Sequence, residues 1–212
     1  MAIDIVIDLE TLGTRPGCPI IEIGACAIDP NDGRILANFN RRVASGLSWY
    51  DTINDATHGN PHSSDITATC RWWHADDERK KTLRRIMTRV CPKNNPFQEF
   101  CEWFERVTAD AFTVRVWGNG PTFDLAILSH GMEQRGVTVP WHHTQERCVR
   151  TALEQAAHER GSVSWIERGP RHRALNDARH EARELFSAGA LGEVSAIMRR
   201  LRERGAAKGE AR

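Results

Sequence analysis

Two acidic side chains near the start of the chain, Asp8 and Glu10, have the spacing that a metal site requires. Apolar residues alternate around them, which predicts a β-strand, and residues two apart in a strand project to one face, roughly 6.5 Å apart along it. Carboxylates that close repel each other unless a cation lies between them, and hard oxygen ligands suit Mg²⁺ or Mn²⁺. The alternative is a pair of exposed acids at a strand edge, because this spacing also arises by chance.

A third acid, Asp124, follows a predicted strand over residues 113–117 and a glycine-rich turn. Pro121 is predicted to open a helix, where its missing N–H costs nothing, and Asp124 then lies in the first turn. The helix dipole favours an acid there, so a purely stabilising role is the alternative to metal binding. Gly118 and Gly120 favour the functional interpretation, because glycine lets backbone approach a ligand closely.

A histidine and a fourth acid, His172 and Asp177, lie five residues apart towards the C-terminus. An apolar stripe predicts a helix that begins near Arg173, with the histidine on the preceding loop and the acid in the first turn. The stripe consists of Leu175, Ala178, Ala182 and Leu185. An imidazole beside a metal-binding carboxylate is suited to accept a proton, so His172 is a candidate general base. The alternative is an exposed histidine in a basic loop that contacts phosphate.

The elements that must position these side chains begin with strands. Hydrophobic alternation predicts strands over residues 3–8, 20–29 and 34–43, and the NDG sequence at 31–33 favours a hairpin turn. The segment 44–68 is polar and has no period, so it is predicted to be a long loop.

Helical periodicity dominates the rest of the chain. Apolar stripes predict helices through residues 83–90 and 97–107, and further helices near 145–160, 174–187 and 190–204. Together with the strand that precedes the third acid, this order predicts an α/β fold with a mixed central sheet flanked by helices.

Length and composition fit one globular domain, with 212 residues of which 40% are hydrophobic and 27% charged. No apolar run is long enough to span a membrane, and the N-terminus lacks a signal-peptide pattern, so we expect a cytoplasmic protein without a membrane partner. The six cysteines form no C-x-x-C pair, which argues against a structural zinc site and a disulfide framework. The net charge of +1 neither requires nor excludes a nucleic-acid partner.

A basic run is concentrated in the predicted helix before residue 90. It comprises Arg79, Lys80, Lys81, Arg84, Arg85 and Arg89. A solvated helix face and a nucleic-acid contact are both open interpretations of such a run. Five other histidines form no constellation and are interpreted as surface residues: His58, His62, His74, His142 and His143.

Taken together, the acidic motifs resemble those of the DEDDh exonuclease superfamily. Asp8-x-Glu10 near the N-terminus, Asp124 after a strand, and His172-x-x-x-x-Asp177 near the C-terminus match its three motifs in order and spacing. Each motif alone is weak, whereas the combination is specific.

A narrower branch of the superfamily is similar in further stretches, namely VIDLETLG, WGNGPTFDLAIL and the pair Trp72–Trp73. This branch includes phage exonuclease A and a mycobacterial 3′→5′ exoribonuclease. The resemblance covers residues 1–188, which are predicted to form the exonuclease domain. Residues 189–212 match nothing and are predicted to form a C-terminal helix and a basic tail.

The resemblance implies an RNase H-like fold with two divalent ions, Mg²⁺ or Mn²⁺, at the acidic edge of its sheet. Asp8 would bridge the ions, Glu10 and Asp124 would complete their sites, and Asp177 would hold the ion nearest the attacking water. His172 would take the proton of that water as general base. The implied reaction is hydrolysis at the 3′ end of single-stranded DNA or RNA, with release of nucleoside 5′-monophosphates.

Substrate contacts are also expected near the acids, and for Thr11 and Leu12 the resemblance implies them. Thr11 and Leu12 would meet the terminal nucleotide, and Trp73 would stack on a base. Asn119 would bond a sugar or base, or only shape the turn before the third acid. The alternative for Trp72 and Trp73 is core packing, which is expected for at least one of them.

Two other functions fit the same residues. An RNase H-type endonuclease also uses clustered carboxylates, although the spacing of His172 and Asp177 favours the exonuclease. A catalytically inert nucleic-acid-binding module would keep the fold, but the presence of all four acids and the histidine argues against it. Related nucleases are often dimers, so a homodimer is expected.

Overall fold

The computed structural model describes residues 1–43, 58, 63–87, 95–160 and 172–191. Their strands form one five-stranded sheet in the order β3-β2-β1-β4-β5. The strands are β1 (Ala2–Thr11), β2 (Ile20–Ile28), β3 (Ile35–Arg42), β4 (Thr113–Gly118) and β5 (Glu146–Cys148). The first three pair antiparallel, whereas β4 is parallel to both β1 and β5. The sheet is therefore mixed, as predicted.

The α-helices of the described residues cover both faces of the sheet. They are α1 (Ser63–Trp73), α2 (Asp77–Met87), α3 (Pro96–Thr108), α4 (Asp124–Glu133), α5 (Val149–Arg160) and α6 (Ala174–Ser187). Ile5 and Ile7 of β1 join an apolar cluster with α3 and α4, whereas Val6 joins one with α5 and α6. Because side chains alternate along a strand, the even-numbered acids of β1 face α6. No helix in this part of the chain is long and apolar enough to cross a membrane.

A third, smaller apolar cluster lies beyond the end of β1. Leu12 and Ile21 contribute to it from the sheet side, and α1 and α2 cover them with buried side chains. These helices supply Ile66, Cys70, Trp73, Leu83 and Ile86. This packing places α1 beside the end of the strand that carries the first two acids.

The predicted loop over residues 44–68 is wrong from residue 63 onwards, where α1 begins. Ile66, Cys70 and Trp73 are buried at helical spacing, but the polar residues around them conceal this short stripe. Apart from residue 58, the earlier part of the segment lies outside the described residues.

Three other boundaries differ from the predictions. Residues 121–123 form a turn and α4 begins at Asp124, because the N–H groups of residues 123 and 124 both bond to the carbonyl of Gly120. The predicted helix over 145–160 begins instead with β5, which pairs with β4. The predicted helix over 190–204 lies outside the described residues beyond residue 191.

Candidate active site

Helix α6 approaches the sheet so closely at Gly24 of β2 that a larger residue would not fit. A Cβ atom at this position would lie 2.1 Å from backbone atoms of Ala174 and Leu175. Gly24 is also the cross-strand partner of Asp8 on β1. The close approach therefore brings the first turn of α6, which carries Asp177, against the acidic end of β1.

The four predicted acids meet at this contact. Ligand oxygens of Asp8, Glu10 and Asp177 all lie within 4.8 Å of one another. Asp124 is 2% exposed and accepts a hydrogen bond of 3.3 Å from the N–H of Leu9. Since Leu9 lies between the two acids of β1, Asp124 joins the cluster from α4. We call these four carboxylates the acidic cluster.

Burial raises the pKa values of three carboxyl groups at this site, those of Asp8, Glu10 and Asp124. It is the main cause for Asp8 and Glu10, whose pKa values lie well above the ordinary range, and repulsion by neighbouring carboxylates adds to the rise. Burial likewise raises the pKa of Asp124 from 3.8 to about 7, although backbone hydrogen bonds oppose it. A divalent cation would relieve this repulsion, and carboxylate oxygens are the ligands that Mg²⁺ and Mn²⁺ prefer. The residues therefore fit the predicted metal.

His172 immediately precedes α6 and has a φ of +62°, in the left-handed region. The N–H of the next residue, Arg173, donates a hydrogen bond of 3.1 Å to Asp177 Oδ2, which ties the loop to the acidic cluster. The imidazole is half-buried and packs perpendicular to the ring of Trp72, with centroids 4.9 Å apart. The predicted general base thus lies at the start of the helix that carries Asp177, with its ring against α1.

Glu22 of β2 anchors this loop and was missed by sequence reasoning. The side chain is fully buried and accepts a hydrogen bond of 3.1 Å from the N–H of Ala174 at the start of α6. It also accepts hydrogen bonds of 3.2 and 3.1 Å from Nε and Nη2 of Arg173. Glu22 therefore fixes the chain beside His172, yet an acid within an apolar strand carries no sequence signal of that role.

A fifth acid, Glu181, faces the cluster from α6 and was also missed. It is 4% exposed, and of the neighbouring charges it contributes most to the raised pKa of Asp8, after burial. Its position four residues after Asp177 places both on one side of the helix. The four-residue spacing is visible in the sequence and could have been used to predict that Glu181 lies near Asp177.

A cavity of about 420 Å³ opens beside the acidic cluster. Its walls include Glu10 and Thr11 of β1, and Asp65 and Trp72 of α1. Asp65 accepts hydrogen bonds of 2.6 Å from the N–H and 2.5 Å from the hydroxyl of Thr14, which holds the loop after β1 against α1. One carboxylate of the cluster therefore forms part of the cavity wall.

The structure brings only part of the predicted substrate-binding set to this cavity. Thr11 and Trp73 line it, but Trp73 is 1% exposed and its Nε1 donates a hydrogen bond of 2.9 Å to the carbonyl of Thr11. Leu12 is fully buried in the third apolar cluster, and Asn119 lies in the turn before α4. Trp72 is 42% exposed, so its ring is the accessible one of the pair.

Comparison with known families agrees with this geometry. The family model described as 3′-5′ exoribonuclease Rv2179c-like domain matches residues 3–187, which include the acidic cluster and the histidine. The chain belongs to this family. The family description agrees with the predicted resemblance to a branch of 3′→5′ exoribonucleases.

Two solved nuclease structures align with most of this chain. Cell-death related nuclease 4 (CRN-4) aligns with a TM-score of 0.53 and 17% identity over 87% of this chain. This chain spans 62% of the CRN-4 chain. The nuclease domain of 3′hExo, a DEDDh family member bound to rAMP, aligns with a TM-score of 0.48 and 14% identity over 87% of this chain and 90% of that chain. The likeness to CRN-4 confirms the predicted RNase H-like fold.

No curated protein sequence matches this chain.

Proposed function

We propose that this protein is a metal-dependent exonuclease that removes nucleoside 5′-monophosphates from the 3′ end of single-stranded RNA or DNA. The observation that carries the proposal is the convergence of Asp8, Glu10 and Asp177 within 4.8 Å, with Asp124 bonded to the strand between the first two. Neighbouring carboxylates without a positive partner repel one another, and a divalent cation bound between them would remove this repulsion.

The acidic cluster would hold two ions, either Mg²⁺ or Mn²⁺. Asp8, which is repelled by Glu10, Asp124 and Asp177 alike, would contribute to the binding of both ions, and those three acids would complete the two sites. When bound, such ions neutralise charge on the attacking and leaving oxygens and lower the pKa of the attacking water.

His172 would accept the proton of the attacking water. The hydrogen bond from the N–H of Arg173 to Asp177 keeps the histidine loop attached to the acidic cluster, and Glu22 fixes the same loop from β2. His172→Ala should lower kcat roughly 10²–10⁴-fold, as expected for loss of a general base. Metal affinity, measured by titration calorimetry, should be unchanged. A collapse of metal affinity would instead make His172 a ligand.

The cavity beside Glu10 would receive the nucleoside at the 3′ end. Its volume of about 420 Å³ lies within the range of small-molecule sites, roughly 300–1,000 Å³. Asp65 in its wall is an acceptor that would repel phosphate, which suits the uncharged sugar and base better. The family description names an exoribonuclease, which favours RNA as the substrate.

Product analysis would test this function. Single-stranded RNA and DNA of matched sequence, labelled at the 5′ end, should shorten one nucleotide at a time in Mg²⁺ or Mn²⁺, with nucleoside 5′-monophosphates as products. Asp8→Asn should be inactive, whereas Asp110→Asn, which alters an exposed carboxylate outside the cluster, should match the wild type. Cleavage of a circular single strand would indicate an endonuclease, and binding without hydrolysis would indicate an inert module.

A further inference from the structure

Trp72 has an unusual position among the exposed apolar side chains. Four large apolar side chains are exposed among the described residues, and of these four Trp72 lines the cavity beside the acidic cluster. The four are Met1, Trp72, Phe112 and Phe186. A half-exposed indole in the wall of a nucleoside-sized cavity offers a surface on which a base stacks.

Contacts on the protein side hold this indole in place. The guanidinium carbon of Arg79 lies 4.5 Å from the ring centroid, and Arg79 Nη1 donates a hydrogen bond of 3.0 Å to the carbonyl of Trp72. Arg79 is itself paired with Asp76. The ring of Trp73 packs against Trp72 at 5.2 Å and 78°. Because the ring is already held in place, a stacking base loses little affinity to the ordering of the protein side chain.

The same indole contacts the histidine of the active site. The rings of Trp72 and His172 are 4.9 Å apart at 89°, and Trp73 adds a second contact to the imidazole at 6.0 Å. The histidine backbone has a positive φ, which a non-glycine residue adopts only where its surroundings hold it. Trp72 therefore both lines the cavity and contacts the group proposed to accept the proton.

We infer that Trp72 contacts the base of the 3′-terminal nucleotide and is the positioning residue for His172, so that a base in the cavity accelerates the catalytic step as well as strengthening binding. The inference rests on the proposed function and extends it. Binding energy from a part of the substrate that does not react can be used to orient the reacting groups, in which case loss of that part lowers kcat as well as affinity.

Kinetics with an abasic 3′ end would test the role of the base. Wild-type enzyme should hydrolyse an RNA that ends in an abasic ribonucleotide about 5–150-fold less efficiently than the natural end, the range typical of one stacked base. Part of this loss should appear in kcat. Trp72→Ala should remove the difference between the two ends, and Trp72→Phe should restore most of it. Trp103→Phe, which alters a buried indole in α3, is the matched control.

A double-mutant cycle would test the link to the histidine. Trp72→Ala should lower kcat in the wild-type background but have little further effect in a His172→Ala background, because the two residues then act as one unit. If the fold losses in kcat of the two single variants multiply in the double variant, the residues act independently and the positioning role is overturned. Circular dichroism of each variant would show whether it is folded, and Trp72→Leu, which keeps an apolar side chain but removes the ring, replaces Trp72→Ala in the cycle if that variant unfolds.

Binding measurements, which do not depend on hydrolysis, test this inference separately from the proposed function. Adenosine 5′-monophosphate should quench tryptophan fluorescence and bind more tightly than ribose 5-phosphate, and Trp72→Ala should abolish that preference. Equal preferences in wild type and Trp72→Ala would overturn the base contact even if the enzyme is an active exonuclease. An inactive wild type that still shows the Trp72-dependent preference would overturn only the proposed hydrolysis.

Discussion

Strand β1 carries two aspartates four residues apart on one face of the sheet, and their surroundings are opposite. Asp4 is fully buried and accepts hydrogen bonds of 2.6 Å from both Nε and Nη2 of Arg115, and one of 2.5 Å from Nε1 of Trp117. Asp8 faces other carboxylates, of which Glu181 acts on it most strongly. The first aspartate is compensated by a cation, and the second is surrounded by charges of its own sign.

The comparison distinguishes an aspartate that stabilises the fold from one that the proposed function requires. Arg115 also donates a hydrogen bond of 2.7 Å to the carbonyl of Leu191, so the Asp4 group ties the chain after α6 to the sheet. In the acidic cluster, Asp124 and Asp177 accept hydrogen bonds from backbone N–H groups, but the carboxylates repel one another and this repulsion costs stability. A cation bound to the cluster would supply the positive charge that Arg115 supplies to Asp4.

The largest expected effect comes from removing a charge from the acidic cluster. Asp8→Asn should lower the rate of hydrolysis at least about a thousandfold, which corresponds to about 4 kcal/mol of transition-state stabilisation. The free energy of unfolding of the metal-free protein should stay the same or rise, because one repulsive charge is lost. Nuclease assays and urea unfolding measure the two quantities. Activity above a tenth of the wild-type rate would refute the assignment of Asp8.

The opposite result is expected when the compensating charge of Asp4 is removed. Arg115→Met leaves a buried carboxylate without its cation and should lower the free energy of unfolding by about 3–5 kcal/mol. The double variant Asp4→Leu/Arg115→Met, which replaces both partners by apolar groups, should regain much of that loss. Urea unfolding of the three variants, including Asp4→Leu alone, provides the comparison. If Arg115→Met is as stable as the wild type, the two aspartates do not differ as described.

The pH dependence of stability sharpens the contrast. The pKa of Asp124 is raised from 3.8 to about 7, and those of Asp8 and Glu10 are raised as well. Between about pH 4 and pH 7 the folded protein therefore binds more protons than the unfolded chain. The stability associated with these groups is present below that window and is lost as the pH rises through it.

Thermal unfolding in EDTA should show this loss. Between about pH 5 and pH 8 we expect the metal-free protein to lose at least about 1 kcal/mol, or roughly 2–4 °C in Tm for a chain of this size. Mn²⁺ should raise the Tm more at the higher pH. Asp124→Asn is the matched variant and should weaken the pH dependence. A metal-free Tm that rises across this range contradicts the acidic cluster described above.

The smallest effects are expected from the exposed charges of α2. Arg79, Lys80 and Lys81 pair with Asp76, Asp77 and Glu78, respectively, within the same segment. Such exposed pairs contribute about 0–1 kcal/mol each to stability. This pairing supports the solvated-face interpretation of the basic run.

Replacing Lys80, Lys81 and Arg84 with Gln distinguishes the two interpretations. If the face binds single-stranded nucleic acid, the slope of log KM against log salt should flatten by about 0.7 for each phosphate that the variant no longer binds. The rate at saturating substrate should barely change in either case. An unchanged salt slope would show that the run is only a solvated face.

The placement of the four acids on their strand and helices could be predicted, because the signals for it are local or have fixed spacing. Asp8 and Glu10 share a face in any strand, and a helix that begins near residue 173 puts Asp177 in its first turn whatever it packs on. The strand and helix types were also predictable wherever the apolar period was strong. The helix α1 was not predictable, because polar residues interrupt its apolar stripe. The short strand β5 was not predictable either, because it is a strand through its pairing with β4.

The partners of these acids could not be predicted from local patterns. Glu22 is a single charged residue in an otherwise apolar strand. Only the packing of α6 onto β2 shows that its side chain holds the loop of His172 in place. The choice between Trp72 and Trp73 was likewise undecidable, because neighbouring residues on a helix point in different directions and only the position of the core decides which is buried.

The sequence by itself therefore determined the residue types, their order and the mixed α/β architecture, since periodicity and spacing act over a few residues. Tertiary structure decided which charges are compensated. Asp4 and Asp8 have the same side chain, the same strand and the same face, and they differ in whether Arg115 or a set of carboxylates lies across from them. Electrostatic energy depends on distances in space between residues remote in sequence, so that distinction arises only when β4, α4 and α6 assemble around β1.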